Sequence, residues 1–531
     1  MLGACVLAVP ARADDCAVIR SRSSLAALSG ARITAVSVLS DAPELPGIAR
    51  PFAALHPTSR TGTIRRQLLF APGDTVDTLL VGETMRRLRR QRLFSDAVIE
   101  AQQCDPSGGV ALVVRTRDSW TLRPTARLRT PSTFSLGIEE RNFLGTGRAV
   151  SVTSEMSPHG AGAAASLSDP WLFGRDIAAN LRVANLAGTH TFRGGLRNHE
   201  YSVFDDWRAE ASVARLSYRD TVAADRALHT LGAMMLVGRR IGASSTGVTM
   251  LLVGAEFDSA ASISGTRRGA SAGAPHVRSF VGADLGVLRR TAVFDTASWV
   301  VPGRGFLDVP LGWEGEAVVA GGYERSAQVP ALRADAWLGR VWLPSRGSIL
   351  MVDLWTSGYL GRVVDANHIE RLSAAWYGAA TRGMWGARLT AERLLEIDPD
   401  LRQLSSMPSA DYTAPAIRPY AARAGRALAG SVERSVHVAQ AGSASVLDVG
   451  AFLAGSYRWQ VEEHPRTNQL RAGVVGGRLR LLSANGAVSS VRIDVGYPVV
   501  LSEGLPRRGF ATLTIGTLFD VNRQRDGRRL F

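Results

Sequence analysis

The segment Gly269-Ala270-Ser271-Ala272-Gly273 fits the Gly-x-Ser-x-Gly pattern that carries the nucleophilic serine of many hydrolases. In those enzymes the serine stands on a sharp turn between a buried strand and a helix. Here Thr266-Arg267-Arg268 precedes the pattern and Ala274-Pro275 follows it, so Ser271 falls in a loop of small residues. We therefore predict that the protein is not an enzyme. The opposite hypothesis would require a hydrolase activity that disappears with Ser271→Ala.

Metal and cofactor motifs are also missing from the sequence. The nine histidines are scattered, and none occurs in a pattern such as His-Glu-x-x-His. Gly145-Thr146-Gly147 lacks the third glycine and the βαβ setting of a dinucleotide-binding loop. The sequence thus predicts no metal and no cofactor. Cys16 and Cys104, which follow the export signal described below, indicate a structural disulfide in an oxidising compartment.

The chain is strongly basic, with 62 basic residues, 47 acidic residues and a formal net charge of +15. Such an excess ordinarily suggests a nucleic-acid or anionic-lipid partner. All the basic residues are arginine, and they are spread along the chain apart from the run Arg86-Arg87-Leu88-Arg89-Arg90. No nucleic-acid-binding motif accompanies that run. We attribute the charge to codon composition and predict no nucleic-acid partner.

Residues 1–13 have the features of a secretory signal peptide. The short apolar run Met1–Val9 precedes Pro10-Ala11-Arg12-Ala13, in which Ala-x-Ala is a cleavage pattern. The charged segment that begins such signals is missing, as expected of a signal shortened by a start assigned too far downstream. Leu2-Gly3-Ala4-Cys5 resembles a lipoprotein cleavage box, although the apolar run continues past it. Both alternatives predict an exported protein, with residues 14–31 as a periplasmic segment.

Residues 32–122 read as a small α+β domain. Strand candidates are Ile33–Leu39, Ala97–Glu100 and Val110–Val114. Between the first two, Asp77 can cap a helix. That helix has an apolar face and a charged face, formed respectively by Leu80, Val81, Thr84, Met85 and Leu88 and by Glu83, Arg86, Arg87 and Arg90.

From Ser132 onward, segments of alternating polarity replace the helical period. In Val491–Tyr497 the odd positions are apolar and the even ones are Arg, Asp and Gly, as in a strand with one apolar face. Most such segments run about ten residues, the length of a tilted membrane-spanning strand. An open sheet of this size would expose unpaired edges, and a soluble sandwich would split into several domains. The sequence therefore predicts a closed transmembrane β-barrel rather than a tandem array of soluble sandwiches.

These features resemble the BamA/TamA outer-membrane assembly superfamily, in which periplasmic POTRA domains precede a sixteen-stranded barrel. Thr116–Trp120 resembles the end of a POTRA unit, Gly137–Gly147 resembles the first barrel strand and its turn, and Ser168–Gly174 resembles a later turn. The alternating segments number slightly above sixteen, but sequence defines their ends poorly. The resemblance implies a mainly β fold, with one POTRA-like domain at 32–122 and a 16-stranded antiparallel barrel at 125–531.

Two further motifs of the superfamily occur here with substitutions. The family loop that folds into the lumen, Val/Ile-Arg-Gly-Phe/Tyr, reads Ile417, Arg418, Pro419 and Tyr420. The family strand pattern Phe-x-Asp-x-Gly reads Val446-Leu447-Asp448-Val449-Gly450. The resemblance implies that Arg418 pairs with Asp448, on the strand that also carries Gly450, and a guanidinium fork suits such a carboxylate. The alternative is a solvated loop arginine of little energetic consequence.

The resemblance also implies a lateral seam between the first and the last barrel strand. We predict the first strand near Ser135–Arg141, which includes Gly137 and Glu139. The last convincing strand is Phe510–Phe519, which resembles the C-terminal assembly signal of outer-membrane barrels; Ala511, Leu513, Ile515 and Phe519 share one of its faces. A polar tail to Phe531 leaves Phe519 and Phe531 as alternative recognised aromatics.

The function implied by the resemblance is assistance in inserting or translocating polypeptides at the outer membrane. The POTRA-like domain would lie in the periplasm and receive client segments at a sheet edge. Expected partners are outer-membrane lipid (lipopolysaccharide or phospholipid), unfolded or secreted client polypeptides, and a periplasmic or lipoprotein accessory. The alternative is a dedicated secretion pore for one exported partner, or a passive diffusion channel. Such a pore should conduct strongly in planar bilayers, and its deletion should leave other barrels unaffected.

Overall fold

The computed structural model describes most of the chain. The described residues are 17–19, 27–43, 57–91, 93–103, 109–130, 133–157, 160–186, 189–198, 205–220, 226–263, 276–297, 307–360, 368–395, 424–440, 445–461, 469–483, 489–502, 507 and 509–517. The chain divides into two compact units, Met1–Trp120 with Leu144–Gly147, and Thr121–Phe143 with Arg148–Phe531. No helix within the described residues is long and apolar enough to cross a membrane.

The first unit is α+β, as the sequence predicts. Its sheet has the order β1-β3-β4-β2 and consists of β1 (Ala17–Ile19), β2 (Ile33–Asp41), β3 (Phe94–Gln103) and β4 (Val110–Asp118). Strand β4 pairs antiparallel with β3 and parallel with β2. Two helices, α1 (Thr61–Arg65) and α2 (Thr78–Arg90), connect β2 to β3. Buried side chains from β2, β3, β4 and both helices, including Ile33, Ile64, Leu88 and Leu112, form one apolar core.

Helix α2 begins where the sequence predicts. The Asp77 carboxylate accepts hydrogen bonds from the backbone N–H groups of Leu79 at 2.7 Å and Leu80 at 3.4 Å. These two bonds satisfy donors that the first helical turn leaves without intrahelical partners.

The predicted charged face of α2 is partly wrong, because Glu83 and Arg87 are buried. Each has found a polar partner: Glu83 pairs with Arg86 at 2.7 Å, and Arg87 donates to Gln67 Oε1 at 3.0 Å. Pairing makes the burial of charge tolerable. The helical period of the sequence shows which side chains are polar, but it does not show which polar groups they bind in the folded domain.

The second unit is a closed antiparallel β-barrel. Twenty strands of the described chain form it, so the prediction of sixteen is wrong. In chain order they are β5 (Leu122–Thr130), β6 (Thr133–Phe143), β7 (Arg148–Ser157), β8 (Gly160–Asp169), β9 (Ile177–Leu186), β10 (Thr189–Asn198), β11 (Trp207–Asp220), β12 (Arg226–Ser244), β13 (Gly247–Ile263), β14 (His276–Thr291), β17 (Gly312–Glu324), β18 (Val329–Ser345), β19 (Ser348–Leu360), β20 (His368–Ala380), β21 (Gly383–Leu395), β22 (Ala424–Gln440), β23 (Ser445–Val461), β24 (Gln469–Ser483), β25 (Ser489–Leu501) and β26 (Phe510–Thr517). Between β14 and β17, β15 (Phe294–Ala297) and β16 (Leu307–Pro310) form a separate two-stranded sheet.

Composition explains why the count from sequence is low. Strand β8 has the sequence GAGAAASLSD, and its side chains are too small and too uniform to alternate in polarity. Alternation is the signal from which a half-buried strand is predicted. The chain also enters the barrel at Leu122, earlier than the predicted residue 125.

Strand length divides the barrel into two parts. The short-strand sector comprises β26 and β5–β10, with 8 to 11 residues per strand. The long-strand sector comprises β11–β14 and β17–β25, with 13 to 19 residues per strand. The expectation of about ten residues therefore fits only the short-strand sector.

The strand faces follow the predicted alternation. In β25, Ile493, Val495 and Tyr497 are 40%, 56% and 53% exposed and point outward, whereas Asp494 is buried on the lumen side. Apolar residues such as Leu285, Val319 and Leu332 repeat this outward exposure in the long-strand sector. A closed barrel that is apolar outside and polar inside is suited to lipid rather than water.

Candidate functional site: the strand closure and the lumen wall

The barrel closes through a very short ladder. Strand β26 pairs with β5 at only two positions of the described chain, Leu513 with Leu128 and Thr514 with Arg127. Every other neighbouring pair among the described barrel strands is in register over seven residue pairs or more, β8 with β9 having seven. The closure is therefore the least paired junction of the barrel wall.

Strand β5 also carries a residue that is typical of sheet edges. Pro124 lies in the half of β5 that precedes the two paired positions. Proline has no N–H to donate to a ladder and is found on edge strands or at bulges rather than in central strands. The sequence of β5 is thus compatible with an incomplete pairing on one side.

The predicted seam residues fall on different strands. Leu513 lies at the closure itself, and the backbone of Ile515 lies two positions further along β26. Gly137 and Glu139 lie on β6, which is the second barrel strand, so their placement at the seam is wrong. The resemblance places the first strand at the Gly137–Gly147 motif, but the barrel has one more strand before it. Phe519 lies outside the described residues.

Gly137 occupies a crowded position beside β5 and β7. A Cβ at this position would lie 2.7 Å from Thr125 Oγ1 on one side and 2.6 Å from the Val152 carbonyl oxygen on the other. Only a residue without a side chain allows this close approach. Gly137 therefore positions β6 against the closing strand although it is not part of the closure.

Asp448 and Gly450 lie on the lumen face of β23. Asp448 is buried, its Oδ1 contacts Nδ1 of His437 directly across the β22–β23 ladder, and its Oδ2 has no hydrogen-bond partner among the described residues. A buried carboxylate oxygen of this kind can accept a further charged donor. The predicted donor loop, Ile417 to Tyr420, lies outside the described residues, as do Cys16 and Cys104.

A network of charges lines the lumen wall near Asp448. Arg478 is buried and binds Asp494 with two hydrogen bonds, from Nε at 2.6 Å and from Nη2 at 3.3 Å. Its Nη1 also pairs with Glu433, to which Arg480 Nη2 lies at 3.5 Å. These residues belong to β22, β24 and β25. The network therefore links β22, β24 and β25 through their side chains, across the intervening strand β23.

A second network lies on the lumen side of β13 and β18. Buried Arg333 pairs with Glu256 at 3.5 Å and with Asp335 at 3.4 Å. Arg278, on β14, which is one of the two strands between them, lies 3.6 Å from Asp258. Carboxylates and guanidinium groups at this density hold a polar wall in a fixed shape, because each buried charge needs its partner.

The sequence analysis missed both networks, although the sequence contains a signal for them. Charged residues recur at every second position within otherwise apolar segments, as in Arg478-x-Arg480, Glu256-x-Asp258 and Arg333-x-Asp335. In a strand these positions share one face. Which arginine meets which carboxylate depends on strand register, which sequence alone does not give.

No group of three or more His, Cys, Asp or Glu side chains among the described residues could hold a metal ion. The charged groups of the lumen are arranged as ion pairs between neighbouring strands. They are suited to bracing the wall and to contacting a polar polypeptide or ions in the lumen.

Among the comparisons with known proteins, only the comparison with solved structures gives matches. No family model matches the sequence, and no curated protein matches it. Solved structures similar to the chain include BamA from Haemophilus ducreyi lacking POTRA domains 1–3 (10% identity, TM-score 0.38, 91% of this chain and 84% of that chain). CdiB from Escherichia coli is also similar (11%, 0.45, 94% and 80%), as is BauA, the ferric preacinetobactin receptor from Acinetobacter baumannii (10%, 0.38, 78% and 84%).

The barrel itself decides the class of protein. Its strands close into a ring, its outward side chains are mainly apolar and its inward ones include buried ion pairs. The protein is a transmembrane β-barrel. Within this class, the two-residue closure is the feature of the described wall that separates it from a uniformly paired barrel.

Proposed function

We propose that the protein assists the insertion or translocation of polypeptides at the outer membrane by opening the seam between β5 and β26. The observation that carries the proposal is the two-residue ladder between these strands. Separating them breaks few inter-strand hydrogen bonds, each worth about 1 kcal/mol net. The freed edges would then offer unpaired backbone groups to a client strand.

Two other features support the same proposal. The first unit has the order two strands, two helices, two strands, with β2 at a sheet edge, and we assign it as a POTRA-like periplasmic domain. An edge strand can receive an extended client segment by β-augmentation. We further propose that Arg418 pairs with the second carboxylate oxygen of Asp448 and so holds the lumen loop against β23.

The seam proposal can be tested by locking the junction with a disulfide. In the double variant Leu128→Cys/Leu513→Cys, two directly opposed positions of β5 and β26 carry the cysteines. The matched control, Leu285→Cys/Val319→Cys, places the same bond across β14 and β17, which are paired along most of their length. The assay follows folding of an urea-denatured outer-membrane barrel into proteoliposomes, scored by heat-modifiable migration on gels.

We expect the unlocked protein to accelerate folding of the client barrel. The seam lock should abolish most of this acceleration, reduction should restore it, and the control lock should leave it intact. Equal activity in the oxidised seam variant would contradict the proposal. A large conductance in planar bilayers without any client folding would instead identify a secretion pore or a diffusion channel.

A further inference from the structure

An arginine stands on the lipid-facing side of the barrel between two tryptophans. Arg340 on β18 lies directly opposite Trp313 on β17. Its guanidinium carbon is 4.9 Å from the ring centre of Trp313 and 4.7 Å from that of Trp342. The two indole rings are 6.4 Å apart and inclined by 67°. The guanidinium is thus held by cation–π contacts on two sides.

The charge of Arg340 has no counter-charge in the described part of the protein. No described carboxylate lies within ion-pairing distance of it, and its Nε is buried without a hydrogen-bond partner. Its other outward neighbours are apolar, Leu338 two positions before it on β18 and Val352 opposite it on β19. An uncompensated arginine on a lipid-facing strand costs about 2–4 kcal/mol at the bilayer midplane and about 0–1 kcal/mol near the interface.

Two similar pairs elsewhere on the outward face differ in one respect. Arg434 lies opposite Trp385, with 5.5 Å between guanidinium and ring, and donates to the carbonyl oxygen of Thr381 at 3.0 Å. Arg471 lies opposite Tyr457 at 5.1 Å, and its Nη2 reaches Gln469 Oε1 at 3.5 Å. In both pairs a protein oxygen accepts from the guanidinium, whereas within the described residues Arg340 has none.

The position along the strands indicates the depth of Arg340. Trp313 is the second residue of β17, and Trp342 lies three positions before the end of β18, so both lie near the barrel end at which β5 begins. Trp207, opposite Arg239, lies at the same end. Tryptophan concentrates at membrane–water interfaces. Arg340 therefore lies at the level of the lipid headgroups.

We propose that Arg340, Trp313 and Trp342 form a binding site for the phosphate of an anionic glycerophospholipid. The free edge of the guanidinium can donate two parallel hydrogen bonds to phosphate oxygens, while the indoles fix its plane. The choice of glycerophospholipid over a lipid A phosphate rests on the proposed function, which places this end of the barrel in the periplasmic leaflet. Recognition of phosphate by Arg340 rests on the geometry alone.

The test measures lipid binding to the full chain in nonionic detergent. Native mass spectrometry follows the first bound molecule during titration with phosphatidylglycerol, phosphatidylcholine or lipid A. We expect Arg340→Gln to weaken phosphatidylglycerol binding about fivefold, the effect of one interfacial arginine, and to leave phosphatidylcholine binding unchanged. Arg340→Lys should lose part of the affinity, because it retains the charge without the fork, and Trp342→Leu should weaken binding without changing the charge.

Arg471→Gln, at the opposite end of the barrel, is the matched control and should bind phosphatidylglycerol as the unmodified protein does. An equal loss in Arg471→Gln, or no loss in Arg340→Gln, would overturn the site. A stronger dependence of lipid A binding on Arg340 would overturn the choice of lipid. Heat-modifiable migration confirms that each variant is folded. The seam mechanism predicts that Arg340→Gln still accelerates folding of the client barrel. Failure of the lipid site and failure of the seam mechanism can therefore be distinguished.

Discussion

The short-strand sector and the long-strand sector use the same alternation but are held together differently. In the long-strand sector, neighbouring strands share long ladders and lumen ion pairs such as Arg478 with Asp494, whose side chains are 3% and 2% exposed. In the short-strand sector, the Glu139–Arg141 pair lies within one strand and is 18% to 27% exposed, and the closure has two residue pairs. The comparison indicates that buried ion pairs stabilise the long-strand sector, whereas the short-strand sector contains one weakly paired junction.

The largest expected effect on the free energy of unfolding concerns the buried ion pairs of the long-strand sector. Arg478→Met would leave the buried carboxylate of Asp494 and the partly buried carboxylate of Glu433 without their main partner. Breaking a buried ion pair from one side typically costs about 3–5 kcal/mol, and we expect a loss of that size in the free energy of unfolding. Urea unfolding of the barrel in short-chain lipid vesicles measures it. A loss below 1 kcal/mol would mean that the two sectors do not differ in this way.

The next largest effect concerns local opening of the seam between β5 and β26 in the unmodified protein. Amide hydrogens of β26 and of the first half of β5 should exchange about 100-fold faster than those of β12 and β13, a difference of about 2.7 kcal/mol in opening free energy. Hydrogen–deuterium exchange of the barrel in nanodiscs, resolved by peptide, measures both regions in one sample. Equal protection of the two regions would contradict the proposal that the seam between β5 and β26 opens more easily than the long-strand sector.

A smaller effect is expected beside the closure. Gly137→Ala places a Cβ against Thr125 Oγ1 and the Val152 carbonyl oxygen, so the backbone of β6 must shift. We expect a loss of about 1–3 kcal/mol, the usual cost of overpacking, and faster amide exchange in β5. Gly242→Ala is the control, because a Cβ there meets nothing within 4 Å.

The smallest effect is expected from the exposed ion pair of the short-strand sector. Glu139→Gln removes the partner that Arg141 Nε contacts at 2.8 Å, but the pair is partly solvated. Such pairs contribute about 0–1 kcal/mol. Unfolding in urea should therefore shift by less than 1 kcal/mol, well below the effect of Arg478→Met. A loss comparable to that of Arg478→Met would show that the ion pair of Glu139 with Arg141 also stabilises the barrel strongly beside the closure.

The sequence predicts much of the fold because alternation and capping are local. Val491–Tyr497 contains its own strand signal, and Asp77 precedes an amphipathic helix, so both appear in the structure as predicted. The wrong number of sixteen strands came from the family resemblance. The count of alternating segments was only slightly higher, because segments such as Gly160–Asp169 contain small residues that carry no alternation. The seam was displaced by one strand because β5, with Pro124 in it, looks like a poor strand in isolation.

The candidate site was harder to predict, since its parts depend on pairing. The position of Asp448 on an inward face was predicted from the family strand pattern. Its contact with His437 follows from the register of β22 against β23, which is a tertiary property. The same holds for Arg340, whose aromatic neighbours include one on another strand. Sequence therefore indicates which residues are unusual on their strands, and only the register shows what they meet.

The unequal lengths of the strands also have a consequence for the surrounding bilayer. A strand rises about 3.3 Å per residue and is tilted by about 40°. The 8 residues of β26 then span about 20 Å of membrane thickness, whereas 13 residues span about 33 Å. Outer-membrane barrels present an apolar band about 25 Å tall. Acyl chains next to β26 must therefore compress or tilt to avoid exposing themselves to water. The junction with the fewest hydrogen bonds thus faces the thinnest and most strained patch of lipid.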